Sequence, residues 1–85
     1  MQKGTSVKLK TFLGTLVSPK NKEPWNNYWR LIGEKGEVVD GKIYNGRVLV
    51  LFERNLDDFK LANHNPVPNS LWILPTDLEM DNQQT

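Results

Sequence analysis

Three aromatic residues stand close together in a part of the chain that is also rich in cations. They are Trp25, Tyr28 and Trp29, and the neighbouring cations are Lys20, Lys22 and Arg30. Aromatic rings interleaved with cations can stack on nucleobases or sugars, surround a cation, or anchor a peptide. The sequence therefore predicts a ligand-binding surface formed by these residues.

The same aromatic rings also suit the interior of a small domain, which needs large side chains to fill its core. Trp29 is followed by Leu31 and Ile32, which require burial, whereas Trp25 follows a polar, proline-containing loop. We therefore expect Trp25 to be more exposed than Trp29. The sequence leaves open whether Trp25 and Tyr28 lie in the core or on the surface.

Residues suited to catalysis or metal binding are few. His64 is the only histidine and cysteine is absent, so a zinc site would need three carboxylates around one imidazole, against the usual ligand preferences. Asp57 and Asp58 could form an acid/base or Mg²⁺ pair, but adjacent residues on a helical turn point about 100° apart. Acidic residues at a helix start are the simpler interpretation. We expect no catalytic residues, no metal and no cofactor.

The charges of the chain are distributed unevenly along its length. The first 22 residues carry five lysines and no acidic residue, whereas the remainder has a net charge of −4, which leaves +1 for the whole chain. Such asymmetry can create a basic face that attracts an acidic partner, because the local potential steers association. Alternatively, the lysines only form the solvated side of a strand and a loop.

The composition indicates one small domain in a reducing compartment. A chain of 85 residues is of single-domain size, and without cysteine it has no disulfide. The N-terminus lacks the apolar segment of a signal peptide, and no run approaches the roughly 18 apolar residues of a membrane span. We therefore expect a cytoplasmic protein that does not associate with membranes.

Strand patterns dominate the chain. Residues 6–12 alternate, with Val7 and Leu9 on one face and a solvated face that would carry Lys8, Lys10 and Phe12. The clearest hairpin pairs residues 36–41 with residues 46–53, because both runs are rich in strand-forming residues. Their connection, residues 41–46, ends in Asn-Gly, the dipeptide that best tolerates positive φ.

The remaining segments indicate turns and loops. Residues 18–24 and 63–69 each contain two prolines and are predicted to be irregular. Residues 25–33 are predicted to form a turn or short helical segment that leads into extended chain. Residues 55–62 could form one or two helical turns capped by Asn55.

The end of the chain carries the most informative pattern. Four apolar residues from Leu71 are stopped by Pro75, which cannot donate to a β-ladder and should open a tight 3₁₀ turn before a last short strand. With the short strands, the long first loop and the hairpin, this ending resembles an SH3-like barrel. Only Leu74-Pro75-Thr76-Asp77-Leu78 resembles a motif, the proline and 3₁₀ turn that close such barrels.

This resemblance implies an all-β, SH3-like small barrel of five or six short antiparallel strands, with a 3₁₀ turn near Pro75 to Leu78. One short helical turn near Leu56 to Leu61 would also fit this fold. Residues 1–79 would form the single domain, and residues 80–85 a frayed polar tail. Trp72, on the closing strand, is then expected in the core or at the mouth of the barrel.

These observations favour a non-enzymatic binding module. We expect another protein as its partner, contacted by residues 20–29 and 63–69. The alternative is nucleic-acid binding through a basic strand-and-loop face formed by Lys8, Lys10, Lys20, Lys22 and Arg30. Phosphate contacts release counterions, so salt dependence separates the two interpretations.

Overall fold

The computed structural model describes residues 2–63 and 65–81, which form an all-β architecture. The five strands are β1 (Ser6–Leu9), β2 (Lys35–Tyr44), β3 (Arg47–Phe52), β4 (Ser70–Ile73) and β5 (Leu78–Met80). The only helical elements among the described residues are single 3₁₀ turns at Pro24–Asn26, Tyr28–Leu31, Leu56–Phe59 and Pro75–Asp77. The predicted all-β fold with five antiparallel strands is confirmed.

All five strands belong to one antiparallel sheet in the order β4-β3-β2-β1-β5. β2 lies at the centre and pairs with β1 on one side and β3 on the other. β4 and β5 are therefore the edge strands of the sheet. Closure of this sheet into an SH3-like barrel stays a prediction.

The hydrophobic core lies on one face of the sheet, because strand side chains alternate between faces. The strands contribute Val7, Leu9, Val38, Val48, Val50, Phe52, Leu71, Ile73 and Leu78. Phe12, Trp29, Leu31, Leu56 and Leu61, from the turns and loops, complete the same cluster. Full burial of one such aliphatic side chain contributes about 1.5–3 kcal/mol, so this cluster is the main source of stability.

The β2–β3 hairpin is tighter than its sequence pattern indicates. β2 continues to Tyr44, which pairs with Arg47, so the connection is only Asn45 and Gly46 rather than the predicted residues 41–46. Asn45 and Gly46 have φ values of 51° and 75°. A two-residue turn of this kind needs positive φ at both positions, which Asn and Gly tolerate best.

The prediction for the end of β1 is wrong. β1 stops at Leu9, and Phe12 is buried instead of lying on the solvated face with Lys8 and Lys10. After β1 the chain reverses, since Phe12 forms a bridge with Thr15. That reversal turns the Phe12 ring toward the core.

Of the two positions expected for Trp72, the core is wrong and the mouth of a barrel stays a prediction. Its neighbours Leu71 and Ile73 are buried, whereas Trp72 is only half-buried. It pairs with Leu49, while Leu71 and Ile73 pair with Val50 and Val48 on the core side. The strand alternation therefore places the indole on the opposite, outer face of the sheet.

Two helix-end predictions have different outcomes. Pro75–Asp77 forms a 3₁₀ turn directly before β5, as predicted. The turn at Leu56–Phe59 is not capped by the Asn55 side chain. The Leu56 N–H instead donates to Asn69 Oδ1 at 2.9 Å, and Asn69 Nδ2 donates to Asn55 Oδ1 at 2.9 Å.

The chain end and the second loop agree with the pattern where they are described. β5 includes Met80, and the Asp81 N–H donates to the Ser6 carbonyl at 3.0 Å, so the sheet extends just past the predicted boundary at residue 79. The predicted tail otherwise falls on residues 82–85, which lie outside the described residues. The irregular loop is confirmed at residues 63 and 65–69, whereas His64 lies outside the described residues.

Gly36 lies in β2 at a position where a side chain would collide with β3. A Cβ at this position would lie 2.7 Å from the Leu51 carbonyl oxygen and 2.8 Å from Val50 Cγ1. We expect Gly36→Ala to lower the free energy of unfolding by about 2 kcal/mol, because the backbone of β3 must shift. Urea unfolding measures this loss. Glu37→Ala, at the exposed neighbour, serves as the control and should change stability by less than about 0.5 kcal/mol; equal losses would contradict the explanation.

Candidate functional site

A buried carboxylate fixes the loop that follows β1. Asp77, in the 3₁₀ turn after Pro75, is only 1% exposed. Its carboxylate accepts hydrogen bonds from Thr11 Oγ1 at 2.6 Å, the Leu13 N–H at 3.0 Å and the Gly14 N–H at 3.0 Å. Charge-assisted hydrogen bonds of this kind are about twice as strong as neutral ones and offset the cost of burying the charge.

The same loop is joined to the aromatic segment through Thr15. Trp29 Nε1 donates to Thr15 Oγ1 at 2.8 Å. The Phe12 ring lies edge-on to the Trp29 ring, with centroids 4.8 Å apart and an interplanar angle of 76°, a favourable arrangement for aromatic pairs. Trp29 is 8% exposed. Its ring therefore supports the loop from beneath and has no open face for a ligand, unlike the surface position predicted for it.

Tyr28 and Trp25 occupy different environments. Tyr28 is half-buried, its ring lies 5.7 Å from that of Phe12, and its hydroxyl donates to the Ala62 carbonyl at 2.7 Å. Burial raises the pKa of Tyr28 above its ordinary value of 10.0. Trp25 is 52% exposed, and its carbonyl accepts a hydrogen bond from the Ala62 N–H at 2.9 Å. Trp25 is thus the aromatic residue of the three that presents its ring to solvent.

The three predicted cations also differ. Arg30 Nη1 donates to the Phe59 carbonyl at 2.8 Å, and its guanidinium lies 5.9 Å from the centre of the Phe59 ring. Lys20 and Lys22 are exposed, and Lys22 Nζ lies 5.6 Å from the centre of the Trp29 ring. Arg30 therefore has a structural contact, whereas the two lysines border the Trp25 segment with their charges in solvent.

Three exposed apolar residues near this segment were not selected from the sequence. Leu16 and Val17 are 68% and 77% exposed, and Leu13 is also exposed. We use the term loop surface for six of the exposed side chains of residues 13–25, namely Leu13, Leu16, Val17, Lys20, Lys22 and Trp25. The exposed acid Glu23 lies in the same stretch. The run Leu16-Val17 is the sequence signal for this surface, but it also fits a continuation of β1.

A concave region lies on the outer face of the sheet. A cavity of about 360 Å³ is lined by Tyr44, Asn45, Arg47 and Trp72. The Tyr44 and Trp72 rings are 5.6 Å apart between centroids, with an interplanar angle of 45°. We call this cavity the outer cleft. Sequence reasoning missed it, because Trp72 reaches Tyr44 only through the pairing of β3 with β4.

The other candidates for chemistry have ordinary surroundings. Asp58 forms an ion pair with Arg54 at 3.8 Å on the exposed side of the Leu56–Phe59 turn. Within residues 2–63 and 65–81, no three histidine, aspartate or glutamate side chains are grouped as metal ligands. No helix in the same part of the chain is long and apolar enough to cross a membrane.

Comparisons of the chain with models of protein families, with curated proteins and with solved structures each find no match. The two candidate surfaces are therefore compared on their own geometry. The loop surface is largely apolar and carries two lysines, whereas the outer cleft is concave and combines two aromatic rings with a guanidinium and an amide.

Removing the Asp77 carboxylate should destabilise the loop after β1. We expect Asp77→Ala to lower the free energy of unfolding by about 3 kcal/mol, because two backbone N–H groups and the Thr11 hydroxyl lose their acceptor. Urea unfolding measures this loss. Asp57→Ala, at an exposed acid of another 3₁₀ turn, should have little effect. Similar losses for both variants would show that the hydrogen bonds to Asp77 do not contribute to stability as proposed.

The Tyr28 hydroxyl should give stability a defined alkaline dependence. Tyr28→Phe removes the hydrogen bond to Ala62, so we expect the wild type to be more stable by about 1 kcal/mol near neutral pH. Because the folded-state pKa of Tyr28 is raised above its unfolded value of about 10, this advantage is fully present below pH 10 and decreases as the pH rises through the folded-state pKa.

Unfolding free energies of the two proteins across this pH range measure the difference. Tyr44→Phe, at an exposed tyrosine, controls for the general effect of removing a phenol. An advantage of the wild type that grows above pH 10 would contradict the assignment to Tyr28.

Proposed function

We propose that the protein is a non-enzymatic, cytoplasmic binding module that recognises another protein through the loop surface. The single observation that carries this proposal is the exposure of large apolar side chains along the first loop: Trp25 is 52%, Leu16 68% and Val17 77% exposed. Contiguous exposed apolar residues rimmed by polar ones are typical of protein-binding sites.

The way in which the loop is held favours binding. A flexible loop loses conformational entropy when a partner orders it, whereas a preorganised loop avoids most of this cost. Three hydrogen bonds to the Asp77 carboxylate and the hydrogen bond between Trp29 and Thr15 fix both sides of residues 11–15. The start of the loop surface is therefore ordered before a partner binds, which lowers the entropy cost of recognition at this end.

The charges at the edge of the loop surface define the chemistry of the partner. Lys20 and Lys22 are exposed in the same loop as Trp25, together with one acid, Glu23. A partner surface that combines an apolar centre with acidic residues at its edge would complement this arrangement and associate faster. Trp25 is suited to the role of central anchor, since tryptophan is enriched among residues that dominate binding energy.

The alternative of nucleic-acid binding through the basic face has weaker support. Lys8 lies between Glu79 on β5 and Lys35 on β2, and Lys35 is itself paired with Asp81. Arg30 is hydrogen-bonded to the Phe59 carbonyl. Opposite charges at facing strand positions attract one another, which reduces the positive potential there. Lys10, Lys20 and Lys22 remain exposed, so a phosphate backbone would have three cations to contact instead of five.

Trp25→Ala tests the proposed anchor. We expect the free energy of unfolding to change by less than about 0.5 kcal/mol, because the ring is half exposed, while partner binding weakens by about 2 kcal/mol or more. The native lysate is divided into two halves, one of which is treated with nuclease, and each half is passed over the immobilised full chain. The protein captured in this way is then titrated against each variant. Ile43→Ser, an exposed apolar residue outside the loop surface, is the control.

The outcomes separate the two interpretations. A protein retained after nuclease treatment, bound by Ile43→Ser and not by Trp25→Ala, supports the proposal. Capture that disappears with nuclease, or falls steeply with salt, would favour nucleic-acid binding instead. If Trp25→Ala and the double variant Leu16→Ser, Val17→Ser both bind the partner as tightly as the wild type does, the loop surface is not the binding site.

A further inference from the structure

The outer cleft is formed by the sheet itself, at a place that the loop surface does not include. The two-residue turn at Asn45 and Gly46 places Tyr44 opposite Arg47 across the hairpin. Pairing of Leu49 with Trp72 brings the indole from β4 to the same outer face. Four side chains from three strands and a turn thus converge on one cavity of about 360 Å³.

The lining of the outer cleft combines three kinds of chemistry. Tyr44 is 64% exposed and Trp72 is half-buried, so both rings present surface to a ligand. Arg47 supplies a planar guanidinium, which pairs well with phosphate and carboxylate oxygens. Asn45 supplies an amide that can donate and accept hydrogen bonds. The site therefore suits a flat ring joined to an anionic group.

The charge of Arg47 is available for such a ligand. The ion pairs found among residues 2–63 and 65–81 use Lys35 and Arg54 as their cations, and Arg47 has no carboxylate partner there. No acidic residue lines the cavity. An anionic group that enters the cleft consequently meets one uncompensated positive charge and no repulsion from the walls.

We propose that the outer cleft binds a nucleotide unit, with its base stacked on Tyr44 and Trp72 and its phosphate bound to Arg47. The two rings contact each other, so the base lies against their exposed faces rather than between them. Every nucleobase has a face that stacks on aromatic side chains, and asparagine matches the donor and acceptor pattern of a base edge.

The size of the cavity also favours this ligand. A volume of about 360 Å³ is at the small end of the range for ligand pockets, which suits one nucleotide rather than an extended peptide. A neutral sugar would use the rings and the amide but would leave Arg47 without an anionic partner. The ligand is either a free nucleotide or one unit of a single strand, and both sources share the same chemistry.

The test titrates the full chain with adenosine monophosphate, adenosine and a short single-stranded oligonucleotide. Binding is followed by tryptophan fluorescence and by backbone amide chemical shifts. We expect adenosine monophosphate to shift the amides of residues 44–47 and of Trp72. Adenosine should bind about tenfold more weakly, because it lacks the phosphate that contacts Arg47. A comparison of the monophosphate with the oligonucleotide identifies the source of the nucleotide.

Three variants locate the binding. Arg47→Ala and Tyr44→Ala should each weaken binding of adenosine monophosphate about tenfold, by loss of the phosphate contact and of stacking. Lys42→Ala removes an exposed cation of the same hairpin that does not line the cleft, and should change affinity less than about twofold. Tyr44 is exposed, so its variant keeps the test meaningful if Arg47→Ala fails to fold.

Several results would overturn the proposal. One is the absence of binding by both nucleotide probes at millimolar concentration. Another is nucleotide binding that is unaffected by Arg47→Ala and Tyr44→Ala. A third is binding of a short acidic peptide with an aromatic residue in the cleft when neither nucleotide probe binds. Trp25→Ala should leave nucleotide binding intact, so failure of this proposal is separate from failure of the loop surface.

Discussion

The arrangement of the loop after β1 depends on the hydrogen bonds that the Asp77 carboxylate accepts. Asp77 lies in the turn that leads into β5, whereas its partners Thr11, Leu13 and Gly14 follow β1. The Asp77 carbonyl additionally accepts the Lys10 N–H at 2.8 Å. These bonds join two segments more than sixty residues apart in sequence, so the loop takes its shape only when the sheet has formed.

The two faces of the sheet have separate roles. The inner face carries the apolar cluster that stabilises the fold, and the outer face carries the half-exposed residues of the outer cleft. The loop before β4 covers part of the free edge of this strand, since Asn65 Nδ2 donates to the Ser70 carbonyl at 2.7 Å. Side-chain amides that occupy an edge carbonyl reduce the tendency of that edge to pair with another chain.

Much of the fold could be predicted from local patterns. The alternation of Val7 and Leu9, the Asn45-Gly46 turn and the stop at Pro75 each depend on neighbouring residues alone. The errors involve residues whose position is decided by distant partners. Phe12 is buried because the chain reverses to bridge Thr15, and Trp72 faces outward because β4 pairs with β3 in one particular register.

The candidate sites follow the same division. The greater exposure of Trp25 than of Trp29 could be predicted from the polar loop before Trp25 and the apolar residues after Trp29. The partners that enclose Trp29, Phe12 and Thr15, could not, because the reversal of the first loop brings them there. Asp77 carries no sequence signal that separates it from a solvated turn residue. Its importance appears only when the N–H groups of the first loop are counted and found to need an acceptor.

Stability and binding are coupled differently at the two surfaces. The loop surface relies on a charged hydrogen-bond network, so a change at Asp77 would alter both the loop and the fold. The outer cleft relies on a tight turn and on strand pairing, which place Tyr44, Arg47 and Trp72 without any buried charge. Side chains in the cleft can therefore vary with little cost to folding, whereas the residues beneath the loop surface cannot. The side chains of the outer face, and with them the ligand proposed for the outer cleft, can therefore change while the core beneath the loop surface stays the same.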